Sequence, residues 1–189
     1  MSNVILNGHS FKVKITAAEI KKAVTDISKQ INKELKGQNP LFVVVLNGAF
    51  IFAADLFKQI TLESDISFIK IASYRGSKQG EIKELIGLTE DIKNRTVVIV
   101  EDIVDTGNTI DFVYKSLKEA GAKDVKIAAL LFKAGAYTKD YPIDYTAIVA
   151  STDFMVGYGL DYNGMGRNLP DIYVMDYDAD KKLKTKNIQ

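Results

Sequence analysis

One stretch constrains this chain more than any other: Val97-Val98-Ile99-Val100-Glu101-Asp102-Ile103-Val104-Asp105-Thr106-Gly107-Asn108-Thr109. Thr96 to Val100 reads as a fully apolar strand, the pattern of a central parallel strand covered on both faces. It delivers two adjacent acids, Glu101 and Asp102, to its carboxyl end. The turn Asp105 to Thr109 then opens a helix from Ile110 to Ala120, with Ile110, Val113 and Leu117 on one face and Gly121 as its stop. Val125 to Phe132 is the next strand, so the whole is one βαβ unit. Ligands of such sheets bind in the crevice beyond the carboxyl ends of the strands.

The flanking sequence extends the same pattern. Phe11 to Ile15 alternates like a short strand, and Thr16-Ala17-Ala18-Glu19 is a capping box. Ile20, Val24, Ile27, Ile31 and Leu35 follow at helical spacing, ending near Gly37. Leu41 to Leu46 is an apolar strand, Asn47-Gly48 a turn, and Phe50 to Gln59 a second helix. Asp65 to Ser73 is a further strand, after which Tyr74 to Glu81 is polar, carries two glycines and is expected to form a long mobile loop. Tyr145 to Ala150, Phe154 to Val156 and Ile172 to Met175 are short strands separated by a glycine-rich segment, and the lysine-rich tail from Asp178 is expected to fray.

Composition closes off several chemistries. A length of 189 residues fits about one domain. The net charge of +1 provides no global field to draw in nucleic acid or an anionic membrane, so any anion site must be local. With no cysteine and a single histidine, His9, neither a thiolate nucleophile nor a multi-histidine metal site can be built. A Ser-His-Asp triad would have to use His9, near an end of the chain. Met1-Ser2-Asn3-Val4 lacks the basic and apolar regions of a signal peptide, which points to the cytoplasm. The apolar run Leu41 to Phe57 is interrupted by Asn47-Gly48 and Asp55, so no membrane anchor is expected.

Thr106, Gly107 and Thr109 are small or hydroxylated and precede a helix, whose free amides can wrap a phosphate. The Gly-x-x-x-x-Gly-Lys-Ser/Thr loop is absent, and the Gly157-x-Gly159 pair has Tyr162 where a dinucleotide fingerprint needs glycine or alanine. Acid beside the cradle, instead of lysine, suggests sugar hydroxyls and Mg²⁺, hence a ribose phosphate. The plain alternative is that Asp105 and Thr106 merely cap a helix.

Val98 to Thr109 resembles the phosphoribosyl diphosphate signature of the type I phosphoribosyltransferases. Leu46 to Phe50, Ser73-Tyr74, Lys133, Phe154 to Tyr162 and Arg167 resemble, in the same order, the hypoxanthine-guanine branch of that family, from about Leu41 to Ile172. The resemblance implies an α/β fold with a mostly parallel sheet of about five strands flanked by helices. It also implies a small hood over the base site. The chain 1–189 would be one domain, its core spanning about 38–150 and its hood made by the N-terminal segment and about 151–176. The implied reaction is purine salvage, in which hypoxanthine or guanine joins 5-phosphoribosyl 1-diphosphate to give IMP or GMP and pyrophosphate.

By the same resemblance, Glu101 and Asp102 face the ribose hydroxyls, while Asp105, Thr106, Gly107, Asn108 and Thr109 hold the 5′-phosphate. Asp105 is the general base. Lys133, Phe154, Met155 and Asp161 form the purine site, Lys133 selecting 6-oxopurines. Leu46, Asn47, Gly48 and Arg167 hold pyrophosphate, with a Leu46–Asn47 peptide that can be cis. Asn47 stands where relatives often carry Lys or Arg, which removes one cationic contact. Ser73 and Tyr74 lie at the base of a lid running from Tyr74 to Lys83, and Mg²⁺ is held by Asp161, Glu101 and Asp102. The implied partners are these small molecules and further copies of the chain, as homodimer or homotetramer, with no nucleic acid and no membrane. The competing readings are a transferase preferring xanthine and a non-catalytic nucleotide- or RNA-binding regulator of the same fold. The net charge of +1 disfavours the second.

Overall fold

Thr16 closes its capping box as the sequence predicts: Glu19 N–H donates to Thr16 Oγ1 (3.3 Å) and Thr16 N–H to Glu19 Oε2 (2.8 Å). The computed structural model describes residues 3–73 and 82–186. In chain order the elements are β1 (Val4–Leu6), β2 (His9–Ile15), α1 (Ala17–Glu34), β3 (Leu41–Leu46), α2 (Phe50–Phe57), β4 (Asp65–Ser73) and β5 (Ile82–Ile86). There follow β6 (Thr96–Val104), α3 (Asn108–Glu119), β7 (Asp124–Phe132), β8 (Tyr145–Val149), β9 (Met155–Val156), β10 (Ile172–Met175) and α4 (Tyr177–Lys186).

Among the described residues, six strands form the main sheet in the order β5-β4-β3-β6-β7-β8. The five from β4 to β8 run parallel, and β5 pairs antiparallel on the edge. Strand alternation divides the core between two faces. Phe42, Val44, Val98 and Val100 point toward α1 and α2, where Ile20, Val24, Ile31, Phe52 and Leu56 are buried. Leu41, Val43, Val97 and Ile99 point the other way, against Ile110, Val113 and Leu117 of α3. Burial on both faces is why these strands read as unbroken apolar runs.

A second sheet, β1-β2-β10-β9, joins the two ends of the chain around Phe11, Val156 and Tyr173. Its N-terminal contribution is the strands alone: α1 packs on the main sheet, an assignment that the expected 38–150 core leaves out. The tail is also ordered further than expected. Residues Tyr177–Lys186 form α4, because its polar side chains find fixed partners: buried Asp180 accepts from Ser10 N–H (3.2 Å) and lies 3.2 Å from His9 Nδ1. Asn3 Nδ2 donates to Asp176 Oδ2 at 2.9 Å. His9 thereby ties β2 to α4. Among the described residues, no helix is long and apolar enough to cross a membrane.

Candidate active site

The carboxyl end of β6 brings Glu101 and Asp102 to the rim of a cavity of about 220 Å³. Val45, Leu46, Gly48, Thr109, Asp161 and Arg167 line it as well. Strand, α3 terminus and hood therefore meet at one place. Burial, with the Asp102 carboxylate beside it, holds the Glu101 carboxyl well above its ordinary range. Burial likewise raises Asp102, against the pull of Arg167 and of the Ile103 N–H, which donates to Asp102 Oδ1 at 2.8 Å. Among the described residues, Glu101 Oε2 is buried without a hydrogen-bond partner. An oxygen in that state is satisfied by a hydroxyl donor or a hard cation. With Asp161 on the same cavity wall the donor set is all carboxylate, which fits Mg²⁺, although among the described residues no three acids already stand together as ligands.

Among the described residues, the amides of the turn after β6 find no partner. Gly107 is the N-cap of α3 and no side chain caps it, so the alternative in which Asp105 and Thr106 serve as helix caps does not hold. Gly107 has φ +85°, and a Cβ there would lie 2.5 Å from the Tyr137 ring, so both conformation and space demand glycine. Thr138, a residue that sequence reasoning missed, holds the turn from behind: its N–H (3.3 Å) and Oγ1 (3.1 Å) both donate to the Thr106 carbonyl. Thr138 sits in a polar turn with no periodicity to single it out.

Across the cavity, the Leu46–Asn47 peptide is cis. Gly48 is buried and a Cβ there would fall 1.5 Å from Asp102 Oδ2, so the position requires glycine, while Asn47 is exposed. Arg167 Nη1 donates to the Gly159 carbonyl (2.6 Å) and Nη2 pairs with Asp161 Oδ1 (2.5 Å). Asp161 Oδ2 accepts from Gly164 N–H at 2.7 Å.

A second corner lies beside this cavity. Lys133 is buried, and its Nζ donates to Asp105 Oδ2 (3.0 Å) and to the Thr152 carbonyl (3.4 Å). Two residues on, the half-exposed Phe154 meets the Tyr162 ring edge-on at 5.7 Å. Phe154 belongs to a different cavity, of about 260 Å³, shared with Lys12, Lys14 and Met175. Met155 is buried and pairs with Val174. Ser73 ends β4, and Tyr74, with most of the expected lid, lies outside the described residues.

Residues 14–163 match the family described as the phosphoribosyl transferase domain. The hypoxanthine-guanine phosphoribosyltransferase of Streptococcus pneumoniae is 39% identical over 166 residues, covering 87% of this chain and 92% of that protein. That of Streptococcus mutans is 36% identical over 173 residues, covering 90% and 96%. Among solved structures, a hypoxanthine phosphoribosyltransferase from Staphylococcus aureus matches with a TM-score of 0.83 at 30% identity, over 89% of this chain and 92% of that one.

Proposed function

Because this chain belongs to the phosphoribosyl transferase family, we propose that its crevice joins hypoxanthine or guanine to 5-phosphoribosyl 1-diphosphate, giving IMP or GMP and releasing pyrophosphate. One observation carries the reading: an acid pair with Glu101 buried and Asp102 half-buried, an uncapped helix terminus and a guanidinium converge on one cavity. Each answers a different part of a ribose that bears two kinds of phosphate.

In such a transfer, positive charge grows on the ribose while negative charge grows on the departing diphosphate, so catalysis is electrostatic and positional. Asp105 to Thr109 hold the 5′-phosphate on the free amides of α3. Glu101 and Asp102 accept from the ribose hydroxyls, which satisfies the orphaned Glu101 oxygen. Arg167 and the main chain of Leu46 to Gly48 bind the diphosphate. Mg²⁺, held by Glu101, Asp102 and Asp161, would supply charge neutralisation for the leaving group.

The purine lies against Phe154 and the main chain of Met155, near Asp161. A 6-oxopurine presents an acceptor at its 6-oxo group and a donor at the neighbouring imidazole N–H. The Lys133–Asp105 pair offers the complementary donor and acceptor, 3.0 Å apart. Asp105 accepts the imidazole proton as the base becomes a nucleophile. Adenine would present an amino donor to the Lys133 ammonium, an unfavourable pairing. Ser73, at the end of β4, would face the chain that keeps water from the cation-like ribose.

The same proposal places the protein in the cytoplasm as a homodimer or homotetramer. The exposed Phe50, on the mostly apolar α2, is the surface such an assembly would cover. The test of function is pyrophosphate release from phosphoribosyl diphosphate and Mg²⁺ with each base in turn. Release with hypoxanthine or guanine and none with adenine is expected; no release with any base would overturn the proposal.

A further inference from the structure

Tyr158 stands one residue before the glycine that Arg167 grips, and no step of the proposed transfer uses it. It is buried, yet sits at φ +49°, a left-handed conformation that a bulky residue rarely adopts and that persists only where its surroundings fix it. Its N–H donates to the Leu169 carbonyl within the hood (2.8 Å), and its hydroxyl reaches the other lobe, donating to Asp55 Oδ2 of α2 at 2.7 Å, across 103 residues of sequence. Asp55 itself is held by Lys58 Nζ at 2.7 Å, so the acceptor is anchored on its own helix.

The consequence falls on the next residue. Gly159 has φ +101°, and a Cβ there would lie 2.1 Å from the Gly48 carbonyl oxygen, so the hood main chain rests directly on the turn that follows β3. Gly159 N–H donates to the Arg167 carbonyl (2.9 Å), and its own carbonyl accepts from Arg167 Nη1 (2.6 Å). A single segment thus spans the two walls of the cavity, Gly48 on the core side and Arg167 on the hood side, and Tyr158 pins that segment to α2.

We infer that Tyr158, latched to Asp55, is a positioning residue that sets the gap between Gly48 and Arg167 and so the fit of the leaving diphosphate. The inference rests on the transfer proposed above, since it takes this cavity as the diphosphate site. It names two residues that touch no substrate. They act through Gly159, and their loss loosens one substrate group while leaving the base and 5′-phosphate sites intact.

The reverse reaction, in which IMP and pyrophosphate regenerate hypoxanthine, reads the two sites separately. Tyr158→Phe removes only the hydroxyl, and the ring keeps its place beside Ile20, Val24 and Ile51, so the fold is retained. It should raise the KM for pyrophosphate about tenfold, the scale of a hydrogen bond to a charged group, with the KM for IMP within roughly twofold. Asp55→Asn keeps an acceptor for the hydroxyl without its charge and should recover most of the effect, with a KM for pyrophosphate within roughly threefold of wild type. Asp55→Ala should match Tyr158→Phe, and the double variant should be no worse than either, as two halves of one contact require. A KM for pyrophosphate unchanged in Tyr158→Phe, or both KM values rising together, overturns the latch while leaving the transferase assignment standing. A wild-type protein that releases no pyrophosphate in the forward assay overturns both.

Discussion

Lys133 Nζ lies 3.0 Å from Asp105 Oδ2, so the group proposed to recognise the purine and the group proposed to deprotonate it are one ion pair. Lys133 is buried while Asp105 is half exposed. The carboxylate can therefore turn toward a bound base while the ammonium stays fixed by the Thr152 carbonyl. Asp105→Asn keeps size and hydrogen-bonding capacity but cannot accept a proton. Its kcat should fall by roughly 10²- to 10³-fold, within the usual range for a general base. The KM for phosphoribosyl diphosphate should move much less. Steady-state kinetics with hypoxanthine check this, and unchanged turnover would refute the proton-transfer role.

Lys133→Met keeps the apolar stem and deletes the charge. The KM for hypoxanthine should rise by about 10- to 100-fold, because a site built around a hydrogen bond loses most when the donor goes. Selection against adenine should weaken at the same time. Since the pair is one unit, the Asp105→Asn and Lys133→Met effects should not add in the double variant. Strict additivity in kcat/KM would show two independent groups.

The main sheet was legible because its strands are buried on both faces. Leu41 to Leu46 and Thr96 to Val100 have no polar break, and β3 and β6 are found there. The hood was harder to read, because its order comes from contacts distant in sequence. Strand β1 has three residues and depends on a turn in which Asn7 and Gly8 both adopt positive φ. The Asn-Gly pair was the signal that could have revealed it. Helix α4 is held by Asp180 and Asp176, which no periodicity marks. The acids that line the candidate cavity, Glu101, Asp102 and Asp161, stand in motifs that the sequence displays. Their supports, Thr138 behind Thr106 and Tyr158 beside Gly159, were not legible, since each acts through a backbone group of its neighbour.

Burial makes Glu101 a source of instability in the absence of ligand. Its folded carboxyl stays protonated well above the ordinary value of 4.5, so the unfolded chain releases a proton that the folded chain retains. The Glu101 contribution to stability is therefore most favourable below pH 4.5 and is lost as pH rises through that value toward the folded one; Asp102, also raised, acts in the same direction. Glu101→Gln removes the ionisation. At pH 8 its melting temperature should exceed the wild type's by roughly 3 °C or more, the scale of 1 kcal/mol in a chain of this size. The gap should close toward pH 4, while turnover falls. Calorimetric scans at the two pH values decide it, and a gap that widens on acidification would show that burial is not the cause.

Gly107 tests the cradle without removing any charged group. An alanine there must adopt a left-handed conformation, at a cost of about 1–2 kcal/mol, and its Cβ must also displace the Tyr137 ring and the Lys139 stem. A melting temperature lower by roughly 4 °C follows from the first term alone. The functional effect should be selective, because the turn Thr106 to Thr109 is held by Thr138 on one side and by α3 on the other, and shifting it misdirects the free amides. The KM for phosphoribosyl diphosphate should rise about tenfold, as expected for loss of one charge-assisted hydrogen bond. The KM for hypoxanthine, which depends on Lys133 and Phe154, should change little. If both constants rose in parallel, the turn would not be an independent phosphate site, and the division of labour between cradle and base corner would have to be abandoned.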